Sequence, residues 1–165
     1  MKIFHIFLLI ALCLLIVCSK SSFCGTNCKI CGTQITSANN AYEVISLADS
    51  ECDKFNYAKS IRLYKKALRL NPSKSDEIYL KIGLSYIFLD KYKKAVDPLT
   101  KSIEMNSDNS SAYYNRGVVY YKLKKLEKSK QDLQKAVEIN NFTNPVERKE
   151  AKDLLAHIEF LESAE

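Results

Sequence analysis

The sequence predicts an all-α fold, a right-handed α-solenoid of three helix pairs closed by a C-terminal capping helix, over residues 40–162. Three observations carry that prediction. A pattern of small and apolar residues returns every 34 or 35 residues, from starts at Ala41, Asp76 and Ser110. Within each copy the apolar residues recur at steps of three and four, as in Leu80, Leu84, Ile87 and Phe88, or Ile61, Tyr64 and Leu68. That period belongs to amphipathic helices and not to strands. Polar turns separate the apolar runs, at Asn71-Pro72-Ser73, Leu89-Asp90-Lys91, Asn106-Ser107-Asp108 and Asn140-Asn141.

The copies align residue by residue. The second reads Tyr79, Ile82, Gly83 and Tyr86, then Tyr92, Ala95, Leu99 and Ser102. The third reads Tyr113, Arg116, Gly117 and Tyr120, then Leu126, Ser129, Leu133 and Ala136. The first is looser, with Val44, Leu47 and Ala48, then Tyr57, Ser60, Tyr64, Ala67 and Pro72. Gly83 and Gly117 fall mid-helix, where Gly costs about 1 kcal/mol against Ala. Such a cost, repeated at one place, points to close helix approach, with Ser60, Ala95 and Ser129 at the matching point of each second helix. Two departures stand out. Glu51 takes the place of Tyr86 and Tyr120, so the first helix should pack less well or meet a different neighbour. Pro98 lies inside the second helix of the middle copy and should kink it or delay its start, as a bend tolerated on the outer layer.

This pattern resembles the tetratricopeptide repeat, whose signature is a large aromatic, then Leu-Gly, Tyr, Ala, Phe and a closing Pro. The units become 41–75, 76–109 and 110–143. The resemblance implies helix pairs that cannot bury their apolar faces alone and therefore stack. It also implies a protein-binding scaffold whose first helices face a concave groove. On that mapping the groove residues are Tyr42, Ile45, Leu80, Leu84, Phe88, Tyr114, Asn115, Val118 and Tyr121. Their apolar and aromatic character suits a protein or peptide segment with apolar anchors. Chaperone-binding members of the family grip a C-terminal carboxylate with Lys, Asn and Arg at five places. Those places here hold Ile45, Asp49, Lys81, Ser111 and Asn115, and none matches. Tails of cytosolic heat-shock chaperones are therefore not the expected ligand.

The last segment reads as a helix over 145–162. Asn144 can cap it, Pro145 suits its first position and Glu147 can reach back to the exposed amides. Ala151, Leu154, Leu155, Ile158 and Leu161 form an apolar stripe, while Lys149, Lys152, Asp153 and Glu159 supply the polar outer face that a repeat array needs at its end.

The N-terminus is of another kind. After Lys2 an apolar run is unbroken from Ile6 to Cys18, a length that suits a secretory signal peptide, with cleavage after Ser19. A spanning helix wants about 20 apolar residues, so a short signal anchor is the second reading of residues 1–19. Residues 20–39 form a polar spacer. In an oxidising lumen Cys24, Cys28, Cys31 and Cys52 would form two disulfides, with three pairings open. The spacing of Cys28 and Cys31 also fits half a zinc site or a redox pair, though no strand-helix context supports a thioredoxin-like role. Asn109-Ser110-Ser111 and Asn141-Phe142-Thr143 are N-glycosylation sequons at turns between units. Together these features place the chain in the secretory route, secreted, lumenal or held at a membrane by its leader. The alternative is a structural subunit of a membrane-associated assembly, with the array packed on neighbouring subunits.

Charge and composition narrow the rest. The formal charge is +6, with Lys+Arg 25 against Asp+Glu 19. Lys65-Lys66, Lys93-Lys94 and the lysines between 122 and 130 read as solvated faces, so no nucleic acid is expected. The four glycines form no phosphate loop, His5 is in the leader and His157 is on the capping helix without a nucleophile beside it. Asp49, Glu51 and Asp53 read as a solvated acidic face. The sequence therefore predicts no catalytic residues, no cofactor and no metal.

Overall fold

The computed structural model describes residues 35–163 apart from 71 and 143, with side chains from Ala41 onward. The leader and Cys24, Cys28 and Cys31 lie outside the described residues. Seven helices follow in order: α1 Ile35–Asp53, α2 Tyr57–Leu68, α3 Ser75–Phe88, α4 Tyr92–Met105, α5 Ser110–Lys122, α6 Leu126–Ile139 and α7 Pro145–Ser163. No strand occurs among the described residues, and none of these helices is long and apolar enough to cross a membrane. Helix α1 already runs at Ile35, within the segment that composition assigns to the spacer.

One turn is used three times. Phe55, Asp90 and Lys124 occupy the same place in each unit, and all three adopt left-handed backbone, with φ of 62°, 54° and 60°. The amide after each returns to the last turn of the preceding helix, from Asn56 to the Glu51 carbonyl, Lys91 to Tyr86 and Lys125 to Tyr120, at 2.8–2.9 Å. These bonds satisfy carbonyls that a helix end leaves without partners. The turn sends the second helix of each pair back along the first.

Close approach inside the pairs rests on the two glycines. A Cβ built on Gly83 would stand 2.6 Å from Cγ and Cδ2 of Leu99, and one on Gly117 would stand 2.9 Å from Cγ of Leu133. Both leucines are fully buried. The residue that touches the glycine is thus the leucine one turn beyond Ala95 or Ser129. Ser129 contributes differently, donating its hydroxyl to the Gly117 carbonyl at 2.8 Å.

Each pair is completed by the helix that follows it. Val44 and Ala48 of α1 share a core with Ile61, Tyr64 and Ala67 of α2 and with Ile78 and Ile82 of α3. Ala95 and Leu99 of α4 pack with Val119 of α5. Tyr114, Leu133 and Ala136 of the third pair pack with Ala151 and Ile158 of α7. Helix α7 therefore stands where a fourth unit would begin. Lys149, Lys152, Asp153 and Glu159 on it are exposed, as its pattern implies. The Asn144 side chain accepts from the Val146 amide at 2.9 Å. Glu147 does not turn back to the amides: its carboxylate accepts from Ser111 Oγ on α5 at 2.6 Å.

Three positions depart from the sequence expectation. Glu51 is buried at 5% exposure, and its carboxylate takes hydrogen bonds from Lys59 Nζ at 3.0 Å and Asn56 Nδ2 at 2.9 Å. It is an internal anchor between α1 and α2, not part of a solvated face. Pro98 is buried too, inside an α4 that runs without interruption from Tyr92 to Met105, so neither a delayed start nor an outer position is found. Arg116 stands at the leucine position of the repeat yet is largely buried. Its guanidinium holds the Asp132 carboxylate with two bonds of 2.8 Å, donates to Thr100 Oγ1 at 3.0 Å and lies 5.8 and 5.9 Å from the rings of Tyr113 and Tyr120. Burial alone would lower its pKa; the Asp132 hydrogen bonds and charge outweigh that and raise it.

Replacing Gly83 by Ala gains about 1 kcal/mol of helix propensity but overpacks Leu99, at about 1–3 kcal/mol. Gly83→Ala should therefore lower stability in urea unfolding, and Gly117→Ala, with its looser contact, should lower it less. A stabilised Gly83→Ala would show that the approach is not tight. The Lys59 and Asn56 hydrogen bonds also hold the Glu51 carboxyl below its usual value of 4.5. A lowered folded pKa adds stability above the unfolded value and loses it as pH falls through the folded one. Melting temperature should thus fall between pH 5 and 3 more steeply in the wild type than in Glu51→Gln; parallel curves would refute the assignment.

Candidate functional site

The open seam of the solenoid lies between α1 and α3, the first helices of units one and two. Three- and four-residue spacing turns Asp49, Cys52 and Asp53 of α1 toward Lys81, Leu84, Ser85 and Phe88 of α3. With Tyr57 and Tyr64 of α2 they bound a cavity of about 270 Å³. Leu84 is half-buried on its wall, and Phe88 is 62% exposed at its mouth. The Phe88 ring stacks on Tyr57, with centroids 4.8 Å apart and planes 12° apart, and Phe55 meets Tyr57 edge-on at 6.3 Å. Phe55 is 78% exposed. Three aromatic rings, from the first turn, the start of α2 and the end of α3, thus form one ledge, with Phe55 and Phe88 open to solvent and Tyr57 half-buried between them.

A charged pair crosses the middle of the seam. Lys81 Nζ donates to both Asp49 oxygens, at 2.8 and 2.9 Å, and the Tyr64 hydroxyl donates to Asp49 as well. Burial, Asp49 and the Cys52 thiol push the Tyr64 phenol well above the usual tyrosine range, so it stays a donor. Behind the pair, Cys52 Sγ lies 3.6 Å from the Tyr64 hydroxyl and 3.8 Å from Ser85 Oγ, and Ser85 Oγ donates to the Lys81 carbonyl. Among the described residues Cys52 has no disulfide partner. On the other side of the pair a cavity of about 300 Å³ lies among Tyr42, Ile45, Pro72, Lys74, Glu77 and Ile78. Tyr42 is 60% exposed there, and Ile45 is half-buried.

The downstream half of the expected groove is not open. Tyr114 is 9% exposed and Asn115 is 7% exposed. The Tyr114 hydroxyl donates to Glu150 of α7 at 2.5 Å, and Asn115 Nδ2 donates to the Ser111 carbonyl at 2.8 Å. Burial and the Glu150 carboxylate raise the Tyr114 pKa. Val118 and Tyr121 pack against the same core as Leu154 and Leu155 of α7, with the Tyr121 ring edge-on to His157 at 6.0 Å. Leu80 is half-buried against the core of Ala95, Leu99 and Val119. Of the residues expected in the groove, Tyr42, Ile45, Leu84 and Phe88 thus line open space, and Tyr114 and Asn115 are buried. The sequence reading missed Phe55, Tyr57 and Tyr64. The pair of aromatics around a turn, Phe55 and Tyr57, was the available signal.

The two sequons differ in setting. Asn109 is half-buried and caps α5, accepting from the Ala112 amide at 3.1 Å, whereas Asn141 is exposed. Among the described residues, no group of three or more His, Cys, Asp or Glu side chains is placed to hold a metal ion.

Comparison with known proteins places this architecture. Two models of the tetratricopeptide repeat match, one over residues 76–109 and one over 110–141. Among solved structures, the first tetratricopeptide-repeat domain of Spaghetti (RPAP3) bound to the HSP90 peptide SRMEEVD superposes with a TM-score of 0.67 at 21% identity, covering 76% of this chain and 95% of that one. The Yersinia enterocolitica type III secretion chaperone SycD, in complex with a peptide of the translocator YopD, gives 0.70 at 14% identity, over 78% and 99%. The tetratricopeptide-repeat domain of Arabidopsis OM64 gives 0.65 at 18% identity, over 73% and 98%. At these identities the likeness is one of fold.

If Tyr114 belongs to the core and Phe88 to the open face, their truncations should separate cleanly. Tyr114→Ala should cost about 3–5 kcal/mol, as buried aromatic truncations do, while Phe88→Ala should change stability by less than about 1 kcal/mol. Equal losses in urea unfolding would overturn the partition.

Proposed function

Because the chain is a tetratricopeptide-repeat protein, we propose that it is a protein-binding scaffold that holds a partner segment along the seam between α1 and α3, without catalysis. The observation that carries this reading is the ledge of Phe88, Tyr57 and Phe55 beside the cavity over Leu84. A domain that leaves Phe55 and Phe88 exposed on either side of a half-buried Tyr57 gains their burial when a partner covers them, at about 1.5–3 kcal/mol for a fully buried side chain. A few such anchors dominate most interfaces. Solved relatives of the same fold that hold peptides, SycD and the Spaghetti domain, support the reading.

The seam also speaks to the kind of segment. At the five family positions for a terminal carboxylate the chain has Ile45, Asp49, Lys81, Ser111 and Asn115. Lys81 is already neutralised by Asp49, and Ser111 and Asn115 are buried. A heat-shock tail would find Lys81, the one cation at these positions, already paired with Asp49. The partner is therefore read as a segment with apolar and aromatic anchors. The apolar run at residues 6–18 and the sequons support a secretory-route or membrane-held setting, with assembly into a membrane-associated complex as the second reading.

Affinity capture with the full chain tests the scaffold reading. Leu84→Ser/Phe88→Ser should abolish recovery of the partners that the wild type enriches, while ellipticity and melting stay near wild type. Unchanged recovery by a folded double variant would remove the seam from recognition. The peptide SRMEEVD should bind no better than a scrambled version of itself; selective binding would restore the heat-shock class. N-terminal sequencing should find a start near Lys20; an intact Met1 in a soluble cytosolic pool would refute the secretory route.

A further inference from the structure

Helix α3 has a second working face. Tyr79, Ile82 and Tyr86 point away from Leu84 and Phe88, and with Lys65 and Leu68 of α2 and Lys94, Pro98 and Lys101 of α4 they bound a cavity of about 480 Å³. This space is larger than either cavity of the seam between α1 and α3.

The next unit shows what the chain does with the same place when it fills it. There the two tyrosines of the repeat, Tyr113 and Tyr120, flank the Arg116 guanidinium, which Asp132 and Thr100 lock in place. In unit two the tyrosines are Tyr79 and Tyr86, but the arginine is replaced by Ile82 and the aspartate by Pro98. The internal cation and its carboxylate are gone together, and the cavity remains.

Cations from the rim stand over it instead. Lys101 Nζ lies 5.6 Å over the Tyr79 ring, and Lys65 Nζ lies 5.7 Å over the Tyr86 ring and donates to its hydroxyl at 3.3 Å. Lys94 lines the same space. Asp97 is the one carboxylate in the lining. Its 3.4 Å contact with Lys101 is a single exposed pair one helical turn apart, weak enough for another carboxylate to replace. Lys81, by contrast, makes two short bonds to Asp49. Among the described residues no ion pair engages Lys65 or Lys94. The lining is therefore cationic over an apolar floor of Ile82 and Pro98, both buried. Lys94 and Lys101 are two helical turns apart, roughly 10.5 Å along α4. Three residues of a polyproline II helix rise roughly 9.3 Å and return to the same side of the chain, so carboxylates at that separation in such a segment reach both ammonium groups.

We infer that this second seam is a docking surface for an acidic segment of a partner protein in polyproline II conformation, whose two carboxylates, three residues apart on one side of the segment, meet Lys94 and Lys101 while an aliphatic side chain between them enters the space over Ile82 and Pro98. Recognition of an acidic motif by clustered cations is an established way of reading a peptide. The site is independent of the α1–α3 groove, because the two draw on opposite sides of α3.

The probe is a fluorescein-labelled Glu-Leu-Leu-Glu peptide with blocked ends, titrated with the wild-type chain and read by anisotropy. Binding should weaken as salt is raised and fall about tenfold or more when both glutamates become glutamine or when the chain carries Lys94→Gln/Lys101→Gln. These lysines are exposed, and ellipticity should confirm that the double variant folds. Leu84→Ser/Phe88→Ser should bind the peptide as the wild type does, so failure of this site and failure of the groove give different results. Absence of binding to the wild type, unchanged binding to the lysine variant, or loss in the Leu84 and Phe88 variant would each overturn the inference. A heparin tetrasaccharide that binds as tightly as the peptide would overturn it too, since the surface would then recognise charge alone.

Discussion

The structure depends on how closely the two helices of each pair approach. Leu99 and Leu133 fill the place that a side chain on Gly83 or Gly117 would occupy, and both leucines are buried. A glycine in mid-helix gives up propensity, and the packing of a whole leucine offsets that loss. In the first pair the corresponding small residue is Ala48, which is fully buried beside Tyr64 in the same core. With the spacing inside each pair set this way, the left-handed turn at Phe55, Asp90 and Lys124 sets the direction of the returning helix. The next first helix then finds an apolar surface already shaped for it.

Polar groups inside the array are satisfied locally. Ser60 donates to the Tyr57 carbonyl, Ser85 to Lys81 and Ser129 to Gly117, so small hydroxyls find acceptors on nearby backbone. The buried Ser102 hydroxyl is the exception among the described residues, with no partner. Charges obey the same rule with longer reach. Arg116 is buried because Asp132, Thr100 and two aromatic rings surround it, and Glu51 because Lys59 and Asn56 do. The Arg116–Asp132 pair, largely buried on both sides, contributes little net stability but makes the loss of either partner expensive, whereas the Lys59 end of the Glu51 pair is exposed. Each ties a first helix to its own second helix.

The two ends of the concave side differ for one reason. Over units one and two, the neighbouring first helix presents Lys81 to Asp49, and the remaining width of the seam stays open on both sides of that pair. Over unit three the neighbour is α7, which carries Ala151, Leu154, Leu155 and Ile158 toward α5 and receives hydrogen bonds from Ser111 and Tyr114 on Glu147 and Glu150. Helix α7 thus shields the third unit from water as a terminal cap must. The same contact covers Tyr114 and Asn115 and moves the accessible aromatics to the other end of the array.

The sequence by itself determined the helices, their pairing and, at Gly83 and Gly117, the first-helix side of their contacts, but placed the second-helix side one turn away from Leu99 and Leu133. Those properties are local or periodic: three- and four-residue steps choose the buried face of each helix, and a repeat of 34 or 35 residues makes each unit predict the next. It also marked Leu84 and Phe88 as inward-facing. Only the tertiary structure decided which inward-facing residues remain accessible. Tyr114 and Leu80 occupy equivalent places in their units, and spacing cannot tell what will lie across from either. That depends on a helix many residues later in the chain, Pro145–Ser163 for one and Ser110–Lys122 for the other. For the same reason the ledge of Phe55, Tyr57 and Phe88 was not legible, since its rings come from a turn and two helices that meet only after folding. Glu51 shows the limit most plainly. A carboxylate on a helix reads as solvated until Lys59, eight residues on, is brought back over it by a turn whose conformation no periodicity encodes.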